Sequence, residues 1–207
     1  MRLKIAVVGE PVLRTPSQEL SKSQILSSSV QNLMDYMRDT VRDATGVGLA
    51  APQVGEALQL AVIEDRLEYH KTFSESELRE RGRVEIPFHV IVNPVITSRG
   101  NSLATFFEGC LSLPGFTALV PRAQEIKVEC LDHHGEPRII EASGWYARIL
   151  QHEIDHLSGT LYIDRMHTRS LSSLENYTRH WRDKSSASTA SQIPVIAPPN
   201  EGVLGPK

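Results

Sequence analysis

Gln151-His152-Glu153-Ile154-Asp155-His156 is the stretch that decides the fold of this chain. His152 and His156 stand at positions i and i+4, so on a helix both imidazoles lie on one face and can reach one ion. Glu153 between them can touch a water on that ion and act as a general base. The alternative interpretation is a solvated helix whose histidines are incidental.

The same helix is predicted to be partly buried. Leu150, Ile154 and Leu157 form an apolar stripe, and two buried histidines without a metal would need other partners. We expect the helix to begin after the N-cap candidate Ser143 and to end before Gly159. A metal-binding helix therefore fits the pattern better than a solvated one.

A tetrahedral metal site needs a third protein ligand. Downstream stand Asp164 and His167, but neither fits the extended pattern of the common metalloproteases. Upstream stands Cys110, within Glu108-Gly109-Cys110-Leu111-Ser112, and a thiolate is a strong ligand for zinc or iron(II). The alternative for Cys110 is a buried core thiol.

The other cysteine, Cys130, is interpreted as such a core thiol. It alternates with Ile126 and Val128 on one face of a predicted strand. A disulfide between the two cysteines is arithmetically possible, but a reducing compartment favours free thiols.

A glycine-rich segment precedes these motifs, with the sequence Gly46-Val47-Gly48-Leu49-Ala50-Ala51-Pro52-Gln53-Val54-Gly55. It superficially matches the dinucleotide-binding fingerprint. However, it follows a predicted helix rather than a strand, and Pro52 interrupts the helix that should come next. The segment is either a tight turn or a backbone that passes close to a substrate, which glycine permits, with Gln53 as a polar group beside it.

Strands and helices are largely segregated along the chain, which predicts an α+β fold. A short strand is expected at Ile5 to Val8, followed by a helix that starts at a Ser21/Gln24 capping box and ends near Thr45-Gly46. Closely spaced strands with tight turns indicate antiparallel sheet. The predicted strands run from Leu58 to Ile63, His89 to Val92, Val95 to Thr97, Leu103 to Phe107, Ala118 to Val120, Glu125 to Leu131 and Arg138 to Glu141. A last helix is predicted from Leu171 to about Trp181.

Composition limits the domain organisation and the partners. The chain has 207 residues, of which 40% are hydrophobic, which suits one folded domain with a core. A formal net charge of −3 implies no strong field for nucleic acid or anionic membrane, and no apolar run approaches the roughly 20 residues of a bilayer span. We expect a catalytic domain over residues 1–184, with a charged surface insertion or a mobile loop with some helix at 65–86, and a disordered tail over 185–207.

Taken together, the three motifs resemble the peptide deformylase family. The resemblance covers about residues 4–168 and is specific, since neither a zincin nor a redox protein would share all three motifs. It implies antiparallel and mixed sheets around a central metal-binding helix, and a hydrolase that removes the N-formyl group from the initiator methionine of new polypeptides and releases formate. The segments Pro114 to Arg122 and Ala142 to Arg148, with the insertion, look like the organelle-type branch.

The resemblance also implies roles for individual residues. Glu153 would be the general base and acid, while Gln53 and the backbone N–H of Leu111 would hold the developing oxyanion. The implied ligands of one divalent ion, with water in the fourth position, are Cys110, His152 and His156. The residues expected to contact substrate are Val47, Gly48, Glu108, Gly109, Trp145, Arg148 and Ile149.

Three of these substrate-contacting residues precede the metal motif on the same helix. Trp145 lies seven residues before His152, so both fall on nearly the same face, about two turns apart. Arg148 and Ile149 fill the turn between them. These side chains are candidates to wall a pocket for the methionine side chain, and the alternative is that Trp145 anchors the helix in the core.

Iron(II) is the metal that the resemblance implies in the cell, with zinc, nickel or cobalt possible in purified protein. The expected partners are N-formyl-Met nascent polypeptides and the ribosome near its exit tunnel, with the chain acting as a monomer or homodimer. Because no transit peptide is visible before the first motif, we expect a bacterial, cytoplasmic enzyme of organelle-like type.

Two other functions stay open. A zinc metalloprotease would need a downstream third ligand, and the Cys110 motif would then be incidental. A non-catalytic metal-binding or ribosome-docking protein would be expected to lose Glu153 or Gln53, yet both are present. Formate release from formyl-Met peptides, compared with cleavage of unformylated peptides, separates the three.

Overall fold

Helices and antiparallel sheets build the part of the chain that the computed structural model describes, which is residues 1–182, 184, 189, 192 and 193. The predicted α+β class is confirmed. The helices are α1 (Lys22–Ile25), α2 (Ser28–Asp43), α3 (Leu67–His70), α4 (Glu75–Arg81), α5 (Gly144–Leu157) and α6 (Leu174–His180). The strands are β1 (Gly48–Ala50), β2 (Leu60–Asp65), β3 (Ile86–Arg99), β4 (Leu103–Glu108), β5 (Phe116–Ala123), β6 (Glu125–Leu131), β7 (Pro137–Ser143) and β8 (Ser172–Ser173). Short 3-10 turns cover Pro11–Arg14, Ala51–Val54, Tyr162–Asp164 and Thr168–Ser170.

The named strands form two antiparallel sheets, one in the order β1-β2-β3-β6-β7 and a smaller one in the order β4-β5-β8. Strand β3 was predicted as two strands, but it continues through an irregularity between Val92 and Val95. Asn93 has a φ of 48° there, a conformation that asparagine tolerates. Its side chain also bonds the backbone N–H and C=O of Leu20, at 2.9 Å each, which pins the bulge to the rest of the fold.

The first predicted helix is two helices. Ser21 and Gln24 form the expected capping box, and the Ser21 backbone N–H donates to Gln24 Oε1 at 2.8 Å. Ser27 then caps α2, because its hydroxyl accepts a hydrogen bond from the backbone N–H of Val30 at 3.4 Å. A second N-cap serine satisfies a free N–H and so restarts the helix inside a continuous apolar pattern.

The predicted strand at Ile5 to Val8 does not form. Its backbone donates hydrogen bonds to the glycine-rich loop and to the loop that carries Cys110, and it does not pair with a neighbouring strand. Ala6 donates to the carbonyl of Gln53, and Val8 donates to the carbonyl of Ser112, both at 2.8 Å. The opening segment therefore ties the glycine-rich loop to the loop that carries the cysteine.

The last helix, α6, begins at Leu174 rather than at Leu171, because Ser173 caps it by accepting from the backbone N–H of Asn176 at 3.2 Å. Most of the 185–207 tail lies outside the described residues, so its disorder and the boundary at 184 stay predictions. No helix in the described part is long and apolar enough to cross a bilayer.

Helix α5 carries the histidine motif and packs against strands of both sheets. Ser143 occupies the N-cap position, as predicted, and Gly144 follows it with a φ of 59°. A Cβ at Gly144 would stand 2.9 Å from the backbone oxygens of Arg81 and Gly82. Glycine here permits both the left-handed conformation and the close packing of the insertion against the start of α5.

The charged insertion is held to the domain by a buried ion pair. Arg83 donates from Nε and one terminal nitrogen to the two carboxylate oxygens of Asp65, both at 2.8 Å, and His70 Nε2 lies 3.2 Å from the same carboxylate. The Asp65 and Arg83 side chains are 0% and 6% exposed. Between them lie α3 and α4, so the segment expected as a surface insertion or mobile loop is anchored at both of its ends.

Asp65→Asn should lower the free energy of unfolding by about 3–5 kcal/mol, because it leaves the buried Arg83 guanidinium without its charge partner. Urea unfolding followed by far-UV circular dichroism measures the change. The control is Glu75→Gln, which removes an exposed ion pair with Arg79 in the same insertion and should leave the midpoint nearly unchanged. A parent-like midpoint for Asp65→Asn would mean that this pair does not anchor the insertion.

Candidate metal centre and active site

Three side chains with metal-binding atoms converge at helix α5. One ligand atom from each of Cys110, His152 and His156 lies within 4.8 Å of the others. The Sγ atom of Cys110 is 3.3 Å from His156 Nε2, and the Nε2 atoms of the two histidines are 3.3 Å apart. The structure thus brings together the three residues that the sequence singled out as ligands.

Two elements position this cluster. The histidines share one face of α5, while Cys110 follows the end of β4 in a turn where the N–H of Leu113 donates to its carbonyl at 2.9 Å. Cys130 instead lies in the core of the larger sheet. Burial raises the pKa of the Cys130 thiol to about 11, so this thiol stays protonated near neutral pH.

The donor set fits a divalent metal ion. Burial lowers the pKa of His156 well below its usual value, and the charge of neighbouring His152 acts in the same direction. Despite burial, hydrogen bonds with Cys110 and Glu108 hold the pKa of His152 well above 6.5, and a metal ion bound there would displace that proton. Two facing imidazoles and one thiol are the ligand types that zinc and iron(II) accept.

Glu153 points toward the glycine-rich strand β1. Its side chain is buried, and its Oε2 has no hydrogen-bond partner among the described residues. Burial raises the pKa of this carboxyl to about 7. A Cβ at Gly48 would stand 2.4 Å from Glu153 Oε1, so glycine at this position leaves the space that the carboxyl occupies.

Gln53 is fixed by its own loop with its amide beside the cluster. Its Oε1 accepts from the backbone N–H of Ala50 at 2.9 Å. Its Nε2 lies 3.2 Å from Ser112 Oγ and 3.5 Å from Cys110 Sγ. The amide nitrogen is therefore a donor at the edge of the thiol–imidazole group.

Leu111 joins the cysteine loop to the glycine-rich segment. Its side chain packs against the core between α2 and the larger sheet, and its Cδ1 would be only 3.0 Å from a Cβ at Gly46. This contact fixes the backbone immediately after Cys110 and explains why a small residue stands at Gly46.

A buried carboxylate supports the cluster from behind. Glu108 accepts two hydrogen bonds from Arg122 at 3.0 Å and one from Arg148 at 2.6 Å. His152 Nδ1 lies 3.1 Å from Glu108 Oε2, which leaves His152 Nε2 free to face the cluster. These charges hold the pKa of Glu108 far below its usual value despite burial.

The network continues through Asp155, which lies inside the histidine motif. Arg122 donates to Asp155 as well as to Glu108, and Arg165 binds Asp155 through two nitrogens at 2.6 and 2.7 Å. The roles of Arg122 and Arg165 were missed from the sequence. One feature of the sequence could have indicated these arginines. Asp155 lies on a helix predicted to be partly buried, and a buried carboxylate requires a cationic partner.

A cavity of about 550 Å³ opens onto the cluster. All of the residues expected to contact substrate line it: Val47, Gly48, Glu108, Gly109, Trp145, Arg148 and Ile149. Among the lining residues that the sequence did not reveal are Phe73, Arg81 and Arg83 from the insertion and Leu174 and Tyr177 from α6. The Tyr177 ring packs on Phe107, with centroids 4.8 Å apart.

Arg148 and Trp145 contribute to this cavity in different ways. The Arg148 guanidinium is buried and donates hydrogen bonds to Glu108 and to the carbonyls of Val120 and Ala104. Its charge is therefore paired within the protein and does not project into the cavity. Trp145 is partly buried, packs against the main core and also lines the cavity. Trp145 therefore both anchors the helix in the core and lines the cavity, so the two alternatives given for it do not exclude each other.

Comparison with known proteins identifies the family. A sequence model described as polypeptide deformylase matches residues 2–171. The chain belongs to the polypeptide deformylase family. Peptide deformylase 1A, chloroplastic, of Solanum lycopersicum is 45% identical over 172 residues, covering 83% of this chain and 62% of that protein. Peptide deformylase 3 of Streptomyces avermitilis is 42% identical over 196 residues, covering 95% of this chain and 85% of that one.

The fold agrees with solved deformylases. A class I type b peptide deformylase from Acinetobacter baumannii, solved with Met-Ala-Ser bound, superposes with a TM-score of 0.71 at 31% identity, covering 80% of this chain and 99% of that one. The deformylase resemblance seen in the sequence is therefore confirmed. This chain spans less than two thirds of the tomato deformylase, at 62% of its length.

The expected location requires correction. A bacterial, cytoplasmic enzyme was predicted, but relatives of this deformylase-family chain are named as chloroplastic or mitochondrial. They indicate the organellar type. The error arose because the start of the sequence was taken as evidence of location, whereas the motifs themselves already resembled the organelle-type branch.

Cys110→Ala should lower the metal retained after dialysis roughly tenfold or more, because a tetrahedral site loses one of its three protein ligands. Elemental analysis of the purified protein measures this. Cys130→Ala is the matched control and should retain metal like the parent, since Cys130 lies in the core. Equal metal contents in the two variants would contradict the ligand assignment.

Proposed function

We propose that this chain is a metal-dependent hydrolase that removes the N-formyl group from the initiator methionine of newly synthesised polypeptides. The observation that carries the proposal is Glu153, a buried carboxyl without a hydrogen-bond partner among the described residues, beside a cysteine and two histidines at the end of an open cavity. Membership of the deformylase family supports the same reaction.

The ligands in this proposal are Cys110, His152 and His156. One divalent ion held there would act as a Lewis acid and lower the pKa of its bound water toward about 7. Iron(II) is the proposed physiological ion, and zinc, nickel or cobalt would serve in purified protein, because one thiolate and two imidazoles suit each of them. Glu108 fixes the orientation of the His152 ring through Nδ1, and such partners raise metal affinity.

Glu153 is the proposed proton carrier. With its pKa raised to about 7 by burial, the carboxyl can accept a proton near neutral pH and return it to the leaving amine. No protein group competes for Oε2 within the described part of the chain. The bare backbone at Gly48 leaves this carboxyl room at the cavity wall.

Gln53 and the backbone N–H of Leu111 are the proposed donors to the negative charge that develops on the formyl oxygen. The Gln53 amide is held by Ala50 and Ser112, so its nitrogen already lies beside the cluster when the charge appears. A preorganised neutral donor stabilises a transition state without titrating.

The substrate of this proposal is a formyl-Met peptide whose side chain enters the apolar part of the cavity. Val47, Ile149 and Trp145 line it there, and the backbone of Gly48 would pair with that of the peptide. The related Acinetobacter deformylase was solved with Met-Ala-Ser bound. Nascent chains at the ribosomal exit tunnel are the proposed cellular substrates, met by a monomer or homodimer.

Glu153→Ala should retain metal but lose about 10²- to 10⁴-fold in turnover of a formyl-Met peptide, the range typical of general acid–base groups. Formate release measures turnover, and elemental analysis measures metal. The parent should not cleave the peptide bond of the same peptide without its formyl group. Peptide-bond cleavage without formate release would instead identify a metalloprotease.

Gln53→Leu should lower kcat by about 10²- to 10³-fold and change KM much less, because the amide is needed most when the oxyanion forms. Ser112→Ala is the companion variant. It removes one acceptor of the amide nitrogen, leaves the amide in place, and should cost far less. A change confined to KM in Gln53→Leu would mean that Gln53 only binds substrate.

A further inference from the structure

The residues that line the cavity divide into an interior and an opening. Five charged residues line it, all of them buried or half-buried: Arg81, Arg83, Glu108, Arg148 and Glu153. Within the described part of the chain, its exposed lining residues are Thr45, Gly109, Pro114, Gly115, Phe116 and Leu174. Lining residues that are also exposed to solvent lie at the opening of a cavity. The opening of this cavity is therefore formed by uncharged residues.

Two large apolar side chains stand at this opening, and we call them the apolar rim: Phe116 and Leu174. Their exposed fractions are 46% and 48%. Phe116 on β5 pairs with Ser173 on β8, and the N–H of Leu174 donates to the carbonyl of Gly115 at 2.9 Å. These backbone contacts hold the two residues of the rim next to each other. Exposed apolar surface that is grouped in this way is typical of a binding site.

The apolar rim continues into the wall of the cavity. Tyr177 lies three residues after Leu174 on α6, and both residues line the cavity. The Tyr177 ring packs on Phe107, which also lines the cavity, as does the partly buried Leu113. Glu175, next to Leu174 in the chain, pairs with Arg179 and does not line the cavity. The rim is thus part of the active-site cavity and not a separate surface patch.

This continuity identifies what would cover the rim. Under the proposed function, the formyl group lies at the metal-ligand cluster and the first side chain lies inside the cavity. The rest of the polypeptide must then leave through the opening, so it passes the exposed lining residues. An apolar side chain in that part of the substrate would cover the rim and remove apolar surface of both molecules from water.

We propose that Phe116 and Leu174 bind an apolar side chain of the substrate beyond its first residue, so that this enzyme favours formyl-Met chains that carry one near their start. The inference rests on the proposed function, because the formyl group at the cluster directs the remaining chain outward. The rim touches no reacting atom, so it determines substrate choice and takes no part in the chemical step.

The test compares amidated formyl-Met peptides that differ only as Leu against Asn, two side chains of similar size, at one position at a time from two to four. The scan itself finds the position that reaches the rim. At that position the parent should favour Leu about five- to tenfold in kcat/KM, as expected for burying part of one leucine side chain. The gain should lie in KM, because this contact is the same in the ground state and the transition state. It should persist as salt is raised, whereas a preference based on charge would shrink.

Phe116→Ser and Leu174→Ser should each reduce the Leu-to-Asn ratio, and the double variant should bring it to about one. Leu171→Ser is the matched control, because Leu171 is 45% exposed, lies just before β8 and does not line the cavity. It should keep the ratio of the parent. A parent ratio near one at all three positions overturns the proposal, and so does a preference that survives in the double variant.

A second copy of this chain is the alternative occupant of the rim. Sedimentation equilibrium of the parent and the double variant tests it. If the double variant dissociates a parent oligomer and leaves the peptide ratios unchanged, the rim is a contact between copies and the proposal is wrong. A parent and a double variant with the same oligomeric state, but with different peptide ratios, support the substrate site.

A binding assay separates this inference from the proposed function. Isothermal titration calorimetry with the same peptides lacking the formyl group should show a similar preference for Leu in Kd, and the double variant should lose it. If no peptide releases formate but the Kd preference persists and depends on the rim, the proposed function fails and the apolar site stands. If formate is released and the Leu-to-Asn ratios are one in both kcat/KM and Kd, the apolar site fails and the proposed function stands.

Discussion

The structure depends on one buried carboxylate. Glu108 accepts hydrogen bonds from Arg122 and Arg148 and binds the Nδ1 side of His152. It ends β4, while Arg122 lies on β5 and the other two partners lie on α5, so one charge joins the smaller sheet to the motif helix. A buried charge is tolerated only when it is paired and fully hydrogen-bonded. This requirement fixes how α5 lies against the sheet, and with it the direction of the His152 ring.

Other features of the site follow from that placement. Because Glu108 occupies the Nδ1 side of His152, the Nε2 atom faces Cys110 and His156. On the same helix, Asp155 extends the network of buried ion pairs, since it binds both Arg122 and Arg165. The insertion then packs on the start of α5, where Gly144 leaves no side chain in the way. The cavity therefore has a metal-ligand cluster at one end and the arginines around Trp145 along its wall.

The sequence predicted the candidate metal ligands more completely than the buried residues that hold them in position. The spacing of His152 and His156 and the chemistry of Cys110 are local signals, so the cluster could be predicted without a structure. The partners of Glu108 could not, because single arginines on strands show no pattern until the strands are paired. The anchoring of the insertion could not be predicted for the same reason, since Asp65 and Arg83 meet only after folding. The helix break at Ser27 was a local signal that the apolar periodicity concealed.

We propose that Cys110, His152 and His156 together hold one catalytic metal ion beside the buried Glu108 carboxylate. X-ray absorption at the metal edge of the zinc-loaded protein tests it most directly, because sulfur and nitrogen ligands differ in distance. The account predicts one sulfur at about 2.3 Å and two imidazole nitrogens at about 2.0–2.1 Å. A first coordination shell of nitrogen and oxygen alone, with no sulfur, would contradict it.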